Sequence, residues 1–473
     1  MSFQFSDTID PNKVFLLKRS ELNERLDCEY YKPDILKEIT KVSALPHFKF
    51  REKLISLQTG YNNNQNPISG TKFIRTQNIR PIWLEIENTT FTDDKKVRIS
   101  RIGDLLFTRI GVNVGDVSFN DIGSFAISDN IILARTNNYN FSKFCAIFLA
   151  TKLGASFIRR EKRDTARAII SYENIKKILI PDLSLSVQSM IISKMDAAYA
   201  AKKEKETEAQ RLLDSIDDYL LQELGIELPE EGGNTIQERM FFRKFSEVSG
   251  ERFDPFFSTP FLVKLDNLFK RKASGSLRKY ALSHAGGATP AKSDSDIHYT
   301  TKDNGIPFVR VQNLSTTGQL NLENIVYITK ETHNGLLKRS RVYEGDLLVK
   351  ITGVGRMAVA SVAPPGFEGN INQHIVVIKT GSAEISKQLA SFLNLNCIEK
   401  IASKRATGGT RPALDYPALF SIPIVLPPPE KKQGIADHIQ TIRNKAKQLY
   451  SQATTDLEQA KQEVEAMILS EAD

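Results

Sequence analysis

The chain has 473 residues, more than one hydrophobic core sustains, so two or more domains are expected. Its net charge is +8, with 41% hydrophobic and 25% charged residues, the balance of a folded chain whose excess Lys and Arg favour polyanions. Cys28, Cys145 and Cys397 are too scattered for a disulfide framework or a zinc pair, no leader pattern opens the chain, and no run approaches the roughly 18 apolar residues of a membrane helix. A cytoplasmic protein with no membrane partner is the expectation.

The chain repeats itself. Val14-Phe15-Leu16-Leu17-Lys18-Arg19-Ser20-Glu21-Leu22 recurs as Met240-Phe241-Phe242-Arg243-Lys244-Phe245-Ser246-Glu247-Val248. Phe73-Ile74-Arg75-Thr76-Gln77-Asn78-Ile79 recurs as Phe308-Val309-Arg310-Val311-Gln312-Asn313-Leu314. Gly103-Asp104-Leu105-Leu106 recurs as Gly345-Asp346-Leu347-Leu348, each followed by a glycine-containing loop, and Asn130-Ile131-Ile132-Leu133 recurs at His374-Ile375-Val376-Val377. Four matches in one order mark an internal duplication.

In each copy, short β-type runs mix with turns, and Phe144–Arg160 and Ser386–Arg405 read as helices. Ile178–Pro181 and Ile422–Pro427 read as terminal strands closed by proline. Each copy then ends in a long helix of about 33 residues, roughly 50 Å. In the first, Ile192, Met195, Tyr199, Lys202, Glu206, Ala209, Leu213, Ile216 and Leu220 form a heptad seam. In the second, Ile435, Ile439, Ile442, Ala446, Leu449 and Ala453 keep the pattern, which then slips to Leu457, Ala460, Val464 and Met467. Two such seams bury most simply against each other, the alternative being that each packs on its own globule. Pro229, Gly232 and Gly233 mark a linker. The expected division is a first globular domain over 1–185, a long helix over 186–227, a linker over 228–239, a second globular domain over 240–428 and a second long helix over 429–473.

Motifs for catalysis are absent. Gly111–Gly115 and Gly353–Arg356 lack the Lys-Ser/Thr ending of a phosphate loop, and no G-x-G-x-x-G opens a helix after a strand. No pair of the six histidines has zinc spacing, and Asp346 and Lys350 stand without a second acid in a nuclease pattern. Gly103-Asp104 and Gly345-Asp346 read as turns into strands.

Tandem mixed globules, each with a long helix, resemble the specificity subunit of Type I restriction–modification enzymes, over nearly the whole chain. Ile424-Val425-Leu426-Pro427-Pro428-Pro429-Glu430-Lys431-Lys432-Gln433-Gly434-Ile435 is similar to that family's PLPP-x-x-EQ-x-x-I helix entry. Gly345–Arg356 with Asn370–His374, and Arg405–Pro412 as a small-residue turn, carry the rest. The first copy departs: Ile180–Leu183 lacks the double proline, and Ala166–Ala168 lacks the glycines. The resemblance implies an α+β fold: two mixed target recognition domains in pseudo-twofold tandem repeat, joined by two long helices in an antiparallel coiled coil. It implies a non-catalytic, sequence-specific subunit that binds double-stranded DNA in phage defence, each domain reading one half of a bipartite site. The helices set the gap and dock two methyltransferase subunits. S-adenosylmethionine, ATP and Mg2+ belong to partner methyltransferase and restriction/translocase chains, and none to this one. A specificity subunit of another restriction class, a coiled-coil protein adaptor without DNA binding, and a metal-dependent nuclease are the other readings.

Arg suits guanine and Asn or Gln suits adenine. Arg75, Gln77, Asn78, Arg310, Gln312 and Asn313 supply these types in both copies, either as readers or as fold-holding groups bonded to backbone. Arg109 and Asn113 in the first glycine loop, Arg356 in the second, and Gln373 and His374 differ between copies and are reader candidates. Arg159, Arg160, Lys162, Arg163 and Arg167, with Lys404, Arg405 and Arg411, read as phosphate clamps or as a solvated face.

Overall fold

The computed structural model describes residues 10–22, 25–62, 67–111, 113–162, 168–233, 235–249 and 253–470. The chain forms two compact units: Met1–Thr207 with Leu449–Asp473, and Glu208–Gln448.

The first unit begins with helix α1 (Pro33–Ser43), which has Pro33 at its first turn and buries Ile35, Ile39 and Val42 at helical spacing. Strands β1 (His47–Lys49), β2 (Ser56–Thr59), β3 (Thr71–Ile74), β4 (Ile82–Trp83), β5 (Thr90–Thr92), β6 (Arg98–Ser100), β7 (Leu105–Thr108), β8 (Val117–Phe119), β9 (Phe125–Ile127) and β10 (Ile131–Arg135) follow. Helices α2 (Tyr139–Ala150), α3 (Lys152–Glu161) and α4 (Tyr172–Lys177), strand β11 (Leu179–Pro181) and the long helix α5 (Leu185–Glu223) come next. The larger sheet has the order β2-β10-β7-β8-β4, the smaller β5-β3-β9-β6, and β1 pairs with β11.

Period-two alternation stacks these layers. In β7, Leu105 and Phe107 join the cluster under α2 and α3, while Leu106 faces the cluster of the smaller sheet. In β10, Ile132 and Ala134 face the helices, and Ile131 and Leu133 face the smaller sheet. Both strands are therefore apolar throughout, and each fully buried Leu, Ile or Phe contributes about 1.5–3 kcal/mol.

Between the copies lie two short helices, α6 (Ile236–Arg239) and α7 (Phe245–Val248). The stretch expected as linker thus carries a helical turn, and Glu231 within it pairs with Lys400.

The second unit repeats the first. Its elements are α8 (Pro260–Lys272), β12 (Gly275–Ser276), β13 (Ser283–Gly286), α9 (Ser295–His298), β14 (Tyr299–Thr300), β15 (Ile306–Val309), β16 (Val326–Ile328), α10 (Lys330–Asn334), β17 (Arg341–Tyr343), β18 (Leu347–Lys350), β19 (Ala360–Val362), β20 (Glu368–Ile371) and β21 (Ile375–Lys379). Then come α11 (Ala383–Leu393), α12 (Asn396–Arg405), α13 (Tyr416–Phe420), β22 (Pro423–Ile424) and the long helix α14 (Lys432–Leu469). Sheet orders are β13-β21-β18-β19 and β14-β16-β15-β20-β17, with β12 on β22. Leaving out the extra β4 and β14, this is the first unit's topology strand for strand, including the one parallel pair of each smaller sheet, β3/β9 and β15/β20.

The polar frame recurs as well. Asp104 accepts from the Arg101 N–H and pairs with Arg135 at 2.7 Å; Asp346 accepts from the Tyr343 N–H and pairs with Lys379. These aspartates are turn residues. Ser118 Oγ closes on the backbone of Arg80, and Ser361 Oγ on that of Ser315. Gly60 and Gly287 end equivalent strands, and a Cβ there would lie 2.3 Å or less from the carbonyl oxygens of Ile127 and Ser128, or of Ile371 and Asn372.

The stretches read as single helices are each two helices with a break between them. Thr151 is extended and caps α3 through the Gly154 N–H, bending the chain by 77° after α2; Leu395, also extended, separates α11 from α12.

Each long helix is shared between the units. In the first unit, Lys194 pairs with Glu463 and Lys205 with Asp456, so α5 and α14 run antiparallel there. In the second, Glu223 pairs with Lys431, and the Tyr219 and His438 rings lie 4.1 Å apart, the same sense. The seam differs at its ends: Ile191 and Ile468 are fully buried where Ile192 and Met467 were expected. There both helices join the globule's cluster, with Ile191 and Met195 of α5 beside Ala460, Val464 and Ile468 of α14.

Gly287→Ala overpacks the Ile371 carbonyl and is expected to cost about 1–3 kcal/mol in urea unfolding. Gly434→Ala, in the open first turn of α14, is expected to be neutral or stabilising by up to about 1 kcal/mol.

Candidate nucleic-acid interface

Strand direction gathers the loops. In the first unit β3 and β9 are parallel, so the segment after β3 and the turn after β9 emerge at one end. That turn, Ser128–Asn130, leads into β10, and β10 is antiparallel to β7, so the glycine loop after β7 emerges there too. Hydrogen bonds stitch the end together: Ser128 N to Ile74 O at 3.0 Å, Tyr61 N to Ile127 O at 3.1 Å, Arg109 N to Asn130 O at 2.8 Å and Ile170 N to Arg109 O at 3.1 Å. The result is a rim built from the loops after β2, β3, β7 and β9 and from the approach to α4.

The second unit builds the same rim. Asn372 N bonds Val309 O at 3.1 Å, Gly287 N bonds Ile375 O at 3.1 Å, Ile351 N bonds His374 O at 2.9 Å and Gly353 N bonds Pro412 O at 3.1 Å. Lys350, buried at the base of this glycine loop, donates Nζ–H to Val354 O at 2.8 Å. Burial pulls the Lys350 ammonium below its ordinary range, with Glu399 opposing. It props the loop, a role its sequence neighbourhood did not reveal.

Most of the candidates sit on these rims. In the first unit Gln77 and Asn113 are exposed, and Arg75 and Arg109 half-buried. Arg75 lies over the Phe73 ring at 5.2 Å, and Arg109 reaches Asp129 O at 3.5 Å. In the second, Gln312, Gln373 and Arg411 are exposed, and Arg310 and His374 half-buried. Gln373 accepts from the Thr289 hydroxyl, which brings the loop after β13 to the rim.

Four candidates are spent on the fold. Asn78 is buried, accepts from the Arg75 N–H at 3.0 Å and donates to Glu87 O at 3.3 Å. Asn313 does the same with the Arg310 N–H at 2.9 Å and Asn321 O at 3.0 Å. Both amides close a turn and offer a base nothing. Arg356 turns back to Asn394 O and Asn396 Oδ1, pinning the α11–α12 corner. Arg405 pairs with buried Asp266 at 2.6 Å and also bonds Ser421 and Ile401, so it ties α12 to α8 rather than clamping phosphate.

The neighbouring basic run is engaged likewise. Arg159 pairs with Glu29 and Asp34, Arg160 covers Tyr30, and Lys404 covers Phe257 at 3.6 Å. Arg163 and Arg167 lie outside the described residues. Among the described residues, no three His, Cys, Asp or Glu side chains form a group fit to hold a metal.

Residues 283–459 match the family model of the Type I restriction modification DNA specificity domain. Among solved structures, the chain is similar to a Type-I restriction-modification system S subunit from M. genitalium, with 11% identity, TM-score 0.36, and coverage of 89% of this chain and 95% of that one. It is also similar to the HsdS subunit from Thermoanaerobacter tengcongensis, with 14% identity, TM-score 0.29 and coverage of 91% and 96%. The type IIG restriction endonuclease BpuSI matches at 12% identity and TM-score 0.32 over 48% of this chain and 35% of that one. No curated protein matches the sequence.

Burial alone raises the Asp266 carboxyl, but Arg405 and Lys270 outweigh it and hold it below the usual range. Its stabilisation is therefore present above about pH 3.9, the unfolded value, and is lost as pH falls through the lower folded value. Arg405→Gln is expected to cost about 1.5–3 kcal/mol at neutral pH, because it removes a charge-assisted hydrogen bond from the buried Asp266 carboxylate and leaves it Lys270 at 2.9 Å. In urea unfolding the difference from the parent narrows below about pH 4.

Proposed function

We propose that this chain, whose residues 283–459 belong to the Type I restriction–modification DNA specificity domain family, is the DNA-recognition subunit of such a system. The observation that carries the reading is one rim built twice on one topology with different chemistry. The first rim presents Tyr61, Arg109 and Asn113; the second presents Thr289, Val354, Gln373 and His374. Arg, Asn and Gln are the side chains that form bidentate contacts with base edges. Two unlike rims on a common frame are what reading two unlike half-sites of one duplex requires.

The long helices serve as spacer. α5 and α14 have 39 and 38 residues, about 58 Å each at 1.5 Å per residue. Two readers on one face of a duplex sit about 34 Å apart, or a multiple of that, which is within such a helix's scale. In this reading the helices also dock two methyltransferase subunits. The chain supplies recognition only, in the cytoplasm, while methyl transfer from S-adenosylmethionine and ATP- and Mg2+-dependent translocation and cleavage belong to partner chains.

Methylation-sensitive sequencing of host DNA with and without this gene tests the reading. A bipartite methylated motif that vanishes on deletion is expected, and an unchanged methylome overturns it. Inserting one heptad into both α5 and α14 lengthens each by about 10 Å, or about three base pairs. The half-site bases are expected to persist while the gap between them changes. Altered half-site bases with the old gap would refute the spacer role.

A further inference from the structure

The rims carry one feature that neither the readers nor the frame account for. Lys95, Lys96 and Arg98 lead into β6, and Lys338 and Arg339 lead into β17. β6 and β17 are equivalent edge strands of the smaller sheets. Arg98 stands opposite Ile127, the last residue of β9 before the rim turn, and Arg341 stands opposite Asn370 near the end of β20. Each basic segment therefore reaches its sheet at the rim end of its unit.

All five side chains are exposed, and among the described residues none makes a hydrogen bond or salt bridge. The nearby acids are Asp93 and Asp94 in the first unit and Glu331 and Glu344 in the second. Of these, Asp94 is turned to the Lys96 N–H at 2.8 Å, and Glu344 to the Gly366 N–H at 2.9 Å. Arg159, Arg356 and Arg405, in contrast, are held by groups of their own unit.

The two segments share the sign of their charge, three basic residues in one and two in the other, although the rim loops beside them differ. A contact common to both half-sites is to the part of DNA that does not vary with sequence. We infer that Lys95, Lys96 and Arg98, and Lys338 and Arg339, bind the sugar–phosphate backbone beside each half-site and set each rim's register on the duplex. This rests on the DNA-recognition reading above. The competing role for lysine at an exposed sheet edge is to block edge-to-edge association.

The test uses the full-length chain and a fluorescein-labelled duplex of mixed sequence, titrated by anisotropy at several KCl concentrations. Lys95→Gln/Lys96→Gln/Arg98→Gln is expected to lower the slope of log affinity against log salt by roughly 2–3, and Lys338→Gln/Arg339→Gln by roughly 2, at about 0.9 per phosphate contact. Lys37→Gln/Lys264→Gln, on exposed faces of α1 and α8, is the charge-matched control and keeps the parent slope. Variants with the parent slope that self-associate in sedimentation overturn the inference in favour of edge blocking. Variants with the parent slope that remain monodisperse overturn it outright. A parent chain that binds no duplex removes the recognition reading itself and this inference with it.

Discussion

A carboxylate from a distant long helix closes the helical layer of each unit. In the first unit, Glu465 of α14 accepts from the backbone N–H groups of Lys152 and Leu153, at the start of α3. In the second, Asp217 of α5 accepts from the Asn396 N–H at 2.7 Å, at the start of α12. The first N–H groups of a helix have no intrahelical partner, and an anion there also meets the positive end of the helix dipole. Burial raises the Asp217 carboxyl, and the Asn396 N–H draws it back. The consequence is topological. Residues 449–473 complete a unit that begins with residues 1–207, so the first unit is closed by a segment that follows the second unit in sequence.

That closure joins α3 and α12 to the long helices, while α2 and α11 pack on the larger sheets. Strands β7, β10, β18 and β21 are buried on both faces, so each residue belongs to one of two layers and a one-residue slip would exchange them. Register is therefore strongly specified where the rim loops depart. Arg109 N–H on Asn130 O and Gly353 N–H on Pro412 O anchor the loop bases, and Lys350 and Arg356 hold the second loop further along.

Three of the four repeated segments were legible through buried positions: Phe73 and Phe308, Leu105–Leu106 and Leu347–Leu348, and Ile131–Leu133 and Ile375–Val377 recur for packing reasons, whereas the repeat of 14–22 at 240–248 is largely exposed. The long helices were legible from their periodicity, and the bends at Thr151 and Leu395 were not, because apolar residues run through both breaks. The rim was only partly legible. Arginine and asparagine look alike in a sequence whether they face solvent or close a turn. Asn78, Asn313, Arg356 and Arg405 were separated from Gln77, Gln312, Asn113 and Gln373 only by burial and hydrogen-bond partners. The paired basic segments escaped notice because exposed lysine carries no periodic signal.

Recurrence between the copies then sorts the polar residues by kind. A residue that recurs and is buried, such as Asn78 with Asn313 or Asp104 with Asp346, satisfies backbone that both copies share. A residue that recurs and is exposed, such as Gln77 with Gln312, closes no turn of its own; in the proposed reading it suits the part of DNA common to both half-sites, phosphate and sugar. In the proposed reading, a residue that differs and stands on an anchored loop, such as Asn113 or His374, is the kind left to distinguish one half-site from the other. If the chain reads two half-sites as proposed, its specificity belongs to the rim residues that the duplication failed to preserve.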